Sequence, residues 1–184
     1  NRGCESSPGL LLDKFLGRIV NRFREAIMNK PRIYLDTSVV GGCFDAEFQV
    51  WSRKLFEDFL RGAFRPVLSD LVEAELGQAP AEVQSFLADF LLQKPEIVRA
   101  NDEVYDLVNA YKLRNVLNKR YENDLIHIAL ATCASVDVLV SWNFKHIVRF
   151  DKIRLFNAVN LELGYKQLQI YSPREVVRYD EQDD

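Results

Sequence analysis

Cysteine is scarce. There are three in 184 residues, Cys4, Cys43 and Cys133, odd in number, widely spaced and without a Cys-x-x-Cys pair. That argues against a disulfide framework and for a reducing compartment, so the expected location is cytoplasmic. Histidine is scarcer still, at two, which leaves a structural zinc site without ligands. Positive charge is not in excess, since Lys+Arg 24 against Asp+Glu 27 gives a net charge of -3. A protein that coats duplex nucleic acid would be strongly basic, so any contact with nucleic acid has to be local. Long apolar runs are missing too. Leu10-Leu11-Leu12 is followed by Asp13, Lys14 and Arg18, too charged for a signal-peptide core, and no membrane association is expected.

Several catalytic signatures are also absent. There is no Gly-x-x-x-x-Gly-Lys-Ser/Thr phosphate loop and no Gly-x-Ser-x-Gly elbow, and Gly41-Gly42 is too short for a dinucleotide fingerprint. An aspartyl nucleophile at Asp36 would want a second aspartate two residues later, where Ser38 stands.

What is present is ordinary globular material. At 48% hydrophobic and 28% charged, the chain has the composition of a folded domain and the length for one full core. Residues 1–30 read as an amphipathic extension. Leu12, Phe15, Leu16, Ile19, Val20, Phe23 and Ile27 recur at helical spacing, and Pro31 ends the segment. Met28 is the only methionine, a candidate translation start. From residue 31 to 184 the pattern alternates between strand and helix. Strands are expected at Ile33 to Asp36, Pro66 to Ser69, Glu96 to Val98, Asp137 to Ser141 and Leu168 to Ile170. Helices are expected at Trp51 to Arg61, at Leu71 to Leu76 capped by Ser69 or Asp70, and after Pro80. Three more follow: Asn101 or Asp102 to about Leu117, one from Asn123 or Asp124, and one from Ile153 closed by Gly164. Thr37-Ser38 follow the first strand, and Gly41-Gly42 read as a turn. Such alternation calls for an α/β fold, a mostly parallel sheet of four to five strands covered on both faces.

Four side chains sit where strands end or helices begin: Asp36, Glu75, Asp124 and Asn143. In a parallel sheet the strand carboxyl ends share one edge, where crevices form. Acids gathered there repel one another unless a cation lies between them, which suggests Mg²⁺ or Mn²⁺ and phosphodiester chemistry. Each residue has a plainer alternative. Asp36 can cap the following turn, while Thr37 and Ser38 orient it or hold metal-bound water. Glu75, about 200° round the helix from Glu73, can be a solvated face. Asp124 can be an N-cap, and Asn143 a turn former rather than a carboxamide ligand. His127, within Leu125-Ile126-His127-Ile128-Ala129, reads as a hydrogen-bonded core residue. Lys145 and His146 are candidates for the scissile phosphate. Arg53, Lys54, Lys119, Arg120 and Arg149 are further cations for a phosphate backbone.

Taken together, Tyr34-Leu35-Asp36-Thr37-Ser38, Asp70 to Leu76, Asp124 to Ala129 and Val140-Ser141-Trp142-Asn143-Phe144-Lys145-His146 resemble the PIN-domain ribonuclease family. The similarity is to the VapC-like toxins of bacterial and archaeal toxin–antitoxin pairs. The tail around Phe156-Asn157 and Ile170-Tyr171-Ser172-Pro173 resembles one branch. The resemblance runs from about Lys30 to Val177 and implies an α/β/α sandwich acting as a Mg²⁺- or Mn²⁺-dependent endoribonuclease. It implies that Asp36, Glu75 and Asp124 hold the metal, that Asn143 stands where an acid is often found, and that a cognate antitoxin restrains the enzyme. The alternative is a catalytically weak or inactive PIN-like module that binds RNA or protein. The segment around Phe15 to Phe23 and the aromatic set Phe44, Phe48 and Trp51 are candidates for a homodimer interface or an antitoxin groove, and a homodimer is expected.

Overall fold

The computed structural model describes residues 30–178. The amphipathic extension and Cys4 lie outside the described residues. Elements follow in the order β1 (Arg32–Leu35), α1 (Thr37–Gly41), α2 (Gln49–Leu60), β2 (Arg65–Ser69), α3 (Asp70–Leu76), α4 (Ala81–Leu91) and β3 (Glu96–Val98). Next come α5 (Asp102–Leu113), a 3₁₀ turn (Lys119–Tyr121), α6 (Glu122–Cys133), β4 (Val138–Val140), α7 (Phe150–Glu162), β5 (Gln169–Tyr171) and α8 (Pro173–Val176).

All five strands are parallel, in the order β3-β2-β1-β4-β5. Alternation along each strand divides the interior in two. Tyr34, Val67, Leu139 and Ile170 face a layer made by α5, α6 and α7, where Leu107, Tyr111, Leu125, Ile128 and Phe156 are buried. Ile33, Leu35, Leu68 and Val140 face the layer of α1 to α4, where Val39, Leu55, Phe56, Val72, Leu87 and Phe90 are buried. The result is the expected α/β/α sandwich.

The helices are set by local chemistry as well as by apolar spacing. Ser69 accepts the Val72 N–H to cap α3, and Asn101 accepts the Val104 N–H to cap α5. Between β1 and the turn at Gly42, where no helix was expected, α1 forms one short helix that puts Val39 and Val40 into the core. Helix α5 stops at Leu113, short of Leu117, because Asn115 takes a left-handed φ of 53°. Val116 and Leu117 then pack as buried loop residues. Phe48 stacks on Trp142 at 4.5 Å, Phe44 meets Phe86 edge-on at 5.7 Å, and Arg174 lies over Trp51. These rings are partly buried against the chain's own core. Gly42 is closely pressed by side chains. A Cβ there would stand 2.5 Å from Ser52 Oγ and 2.7 Å from Trp142 Nε1, splitting their hydrogen bond.

The topology fixes where a site can form. The chain runs from β1 outward to β2 and β3, then returns to β4 on the other side of β1. The crossover reversal therefore lies between β1 and β4, and a crevice opens beyond their carboxyl ends.

Candidate functional site

Asp36 is the residue immediately after β1, and Ser141 immediately after β4. The Asp36 N–H donates to the Val140 carbonyl at 3.1 Å, which continues the ladder one residue past the strand. Asp36 is 5% exposed, so its charge must be met inside the protein. Two hydroxyls meet it at Oδ2: Ser38 Oγ at 2.5 Å and Ser141 Oγ at 2.7 Å. Their direction is forced. Ser38 Oγ accepts the Trp142 N–H and Ser141 Oγ accepts the Asn143 N–H, each at 2.9 Å, so both hydroxyl protons turn to the carboxylate. Asp36 makes no side-chain cap to α1, which sets aside the turn-capping alternative.

Glu75 arrives from α3. Its Oε2 accepts the Thr37 hydroxyl and its Oε1 accepts Asn123 Nδ2 at 2.7 Å. Glu73 stays exposed on the opposite side. Between Glu75 and Asp36 stands His127, 1% exposed. Its Nε2 lies 3.2 Å from Glu75 Oε2 and 3.3 Å from Asp36 Oδ1. Its Nδ1 lies 2.7 Å from the Tyr34 hydroxyl, which in turn lies 2.8 Å from Ser69 Oγ. Asn123 and His127 are four apart on α6 and so share a face.

Asp124 takes a separate set of partners. Its Oδ1 accepts Asn143 Nδ2 at 3.0 Å, and its Oδ2 lies 2.9 Å from His146 Nδ1. The Asn143 carboxamide oxygen accepts the His146 N–H at 3.0 Å. The two bonds fix the amide's orientation, because only the NH₂ can face a carboxylate and only the oxygen can face an N–H. Asn143 thus acts as a turn former and as a donor to Asp124. The sequence had offered its oxygen as a ligand, and in this structure that oxygen is engaged by the backbone.

Electrostatics join these pieces. Burial pushes the Glu75 carboxyl up, but the bonds from His127, Thr37 and Asn123 outweigh it and hold the group down at about 2. Burial pushes His127 down, yet the Glu75 bond and the charges of Asp36, Glu75 and Asp124 carry it above its ordinary value. Asp124 is raised, first by burial and then by the neighbouring Asp36 charge, with His146 pulling the other way. His127 therefore feels all three acids, and Asp124 feels Asp36.

The electrostatics set a pH dependence. Glu75 lies below the roughly 4.3 of an unfolded chain, so its stabilisation is complete above about pH 4.3 and fades as pH falls toward its folded value. His127 lies above the roughly 6.5 of an unfolded chain, so its stabilisation is complete below that and fades as pH rises through the folded value. Both statements describe one pair, strongest between about pH 4.5 and 6.5. In EDTA, the thermal midpoint gap between the native protein and Glu75→Gln is expected to be widest in that window and to narrow toward pH 2. A gap independent of pH would contradict the pairing.

Among the described residues, no three His, Cys, Asp or Glu side chains are already grouped to hold a metal ion. The His127 N–H occupies the place between Asp36 and Glu75. The donor chemistry still suits a hard divalent cation, since Asp36, Glu75 and Asp124 carry carboxylate oxygens, each now held by a partner within the protein. The remaining sequence candidates fall as follows. Thr37 and Ser38 hold the carboxylates, His146 is tied to Asp124 with its ring 3.7 Å from that of Tyr121, and Lys145 is exposed. Arg53 donates to the Cys43 carbonyl and Arg149 to Asp151. Four contributors went unread: Tyr34, Asn123, Ser141 and the bridging part of His127. The signal available was the pair Asn123 and His127 flanking Asp124 at helical spacing.

No protein-family model matches the chain, and no curated protein matches it. Among solved structures, a chain in the crystal structure of VapBC2 from Rickettsia felis, bound to a DNA fragment from their promoter, matches with a TM-score of 0.50 at 16% identity. The match covers 77% of this chain and 98% of that one. Tyrosyl-tRNA synthetase from Archaeoglobus fulgidus, complexed with L-tyrosine, matches with a TM-score of 0.44 at 15% identity, over 82% of this chain and 57% of that one. The first likeness is one of fold, and it agrees with a PIN-like sandwich. No helix among the described residues is long and apolar enough to cross a membrane.

Proposed function

We propose that this chain is a metal-dependent endoribonuclease that hydrolyses RNA phosphodiester bonds, and that it serves as a VapC-like toxin held in check by a protein antitoxin. The observation that carries the reading is electrostatic and geometric at once. Two acids from separate parts of the sequence, Asp36 and Glu75, contact one buried imidazole beyond the carboxyl end of β1, and the charge of Asp124, held beside them by Asn143 and His146, also reaches it. The fold likeness to the VapBC2 chain supports the toxin–antitoxin part, and a homodimeric, cytoplasmic protein belongs to the same proposal.

Asp36, Glu75 and Asp124 are the residues that would hold Mg²⁺ or Mn²⁺. When bound there, the ion supplies Lewis acidity toward a phosphate oxygen and a lowered pKa for an attacking water. The chain's own work is orientation. Ser38 and Ser141 aim Asp36, Thr37 and Asn123 aim Glu75, and Asn143 with His146 aims Asp124. Such supporting bonds are worth about 10- to 100-fold in metal affinity or activity. The exposed Lys145 is placed on the loop beside them, suited to a backbone phosphate.

The test is cleavage of RNA by the purified protein with Mg²⁺, Mn²⁺ or EDTA. Internal cuts that require a divalent ion are expected. RNA left intact at millimolar Mn²⁺ would overturn the reading. A second reading, an RNA- or protein-binding module that does not cut, draws on the His127 N–H lying between Asp36 and Glu75. It predicts binding without turnover, and calorimetric titration with Mn²⁺ separates the two.

A further inference from the structure

Two short stretches that pair a cation with an aromatic ring meet at the rim of this site. One is Arg120-Tyr121, just before α6, and the other is Phe144-Lys145-His146, just after β4. The Tyr121 and His146 rings lie 3.7 Å apart at 38°, the Arg120 guanidinium sits 4.7 Å from the Tyr121 centroid, and His146 is pinned to Asp124. This layered stack anchors the loop that carries Phe144. Phe144 itself remains 51% exposed, two residues from an Asp124-bound imidazole and next to the exposed Lys145. Asn143 just before it and His146 two residues after it are held by Asp124. About half of this ring is therefore presented to solvent on a braced segment beside Asp124, while the ring leans on Trp142 at 6.0 Å and 56°.

A net charge of -3 argues against binding through an overall positive charge, so contacts to RNA have to be local. An exposed ring with adjacent cations is how proteins grip single strands, with bases stacking on π-faces and phosphates meeting Lys or Arg. Bases inside a duplex offer no free face for this. Resting on the endoribonuclease reading, we infer that Phe144 is a base-stacking residue that selects RNA with an unpaired base beside the scissile phosphate.

The probes are a 12-nucleotide unstructured RNA carrying one 2-aminopurine and a blunt hairpin of matched composition. Binding is measured by anisotropy and 2-aminopurine fluorescence in the Asp36→Asn background, so that nothing is cut, and cleavage is measured with Mn²⁺ in the otherwise native protein. Quenching of 2-aminopurine on binding is expected, with the single strand preferred. Phe144→Ala should weaken the single strand by about tenfold or more and lose most of the quenching. Phe144→Leu, which keeps the apolar bulk without the π-face, should do nearly the same, and Phe144→Trp should restore both. The hairpin should be bound equally by all four. If the native protein cuts RNA but Phe144→Ala binds the single strand as well, or Phe144→Leu quenches fully, the stacking role is overturned and the nuclease reading stands. If no RNA is bound or cut by the native protein, both fall.

Discussion

Asp36→Asn is expected to lower divalent-dependent RNA cleavage by at least about 10³-fold, while the thermal midpoint in EDTA stays within a few degrees of the native protein. The substitution keeps shape but removes charge. An asparagine oxygen in the place of Oδ2 can still accept the Ser38 and Ser141 hydroxyls, so the β1/β4 edge stays closed. The amide NH₂ then falls in the place of Oδ1, where it faces His127 Nε2, and a donor meets a donor. In return, Asp124 loses a repelling neighbour. These two terms oppose each other, which is why little net change in stability is expected. For the proposed cation binding they do not oppose: one of the three carboxylates proposed to hold the ion is lost outright. The measurements are initial cleavage rates in Mn²⁺ and a thermal melt in EDTA. Cleavage retained at more than a tenth of the native rate would remove Asp36 from the chemistry.

The strands were legible because each buried run is short and flanked by turn residues, and the parallel sheet follows once helices alternate with them. Pairing order was not legible, since nothing in Val138–Val140 says it will lie beside β1 rather than at an edge. Helix α1 was missed for a related reason. Five residues carry too little periodicity, and burial of Val39 and Val40 rather than local preference makes them helical. Within the site, Asp36 and Glu75 could be read as candidates from their places after β1 and on α3. Their coupling could not. His127 sits in an apolar run and shows its role only when the fold sets Tyr34 behind it and two carboxylates before it. Asn123 and Asp124 looked like helix caps, yet α6 begins at Glu122 without a side-chain cap, and both side chains reach across to other elements instead. Local sequence offers the cap, and tertiary contacts override it.

His127→Ala carries the largest expected effect on stability, a loss of about 3–5 kcal/mol in EDTA. His127 is buried, so the substitution opens a void beneath the acids. That void matters less than the charge. With the imidazole gone, Glu75 Oε2 and Asp36 Oδ1 lose the donor they share and face one another across the gap. Glu75 keeps Thr37 and Asn123, and Asp36 keeps Ser38 and Ser141, but no positive partner remains between them. Leaving buried charge uncompensated is the costly way to break such a pair. Tyr34 fares better, because its hydroxyl retains Ser69 Oγ. A divalent cation can take over the role the imidazole has lost. Millimolar Mn²⁺ should therefore stabilise His127→Ala more than it stabilises the native protein, since a ligand that binds only the folded state adds free energy in proportion to its occupancy. Urea denaturation of both proteins, with EDTA and with Mn²⁺, measures the four midpoints required. A variant as stable as the native protein in EDTA would mean that His127 does not hold the acids together. A deficit that Mn²⁺ fails to reduce would mean that Asp36 and Glu75, once freed, do not take up the ion.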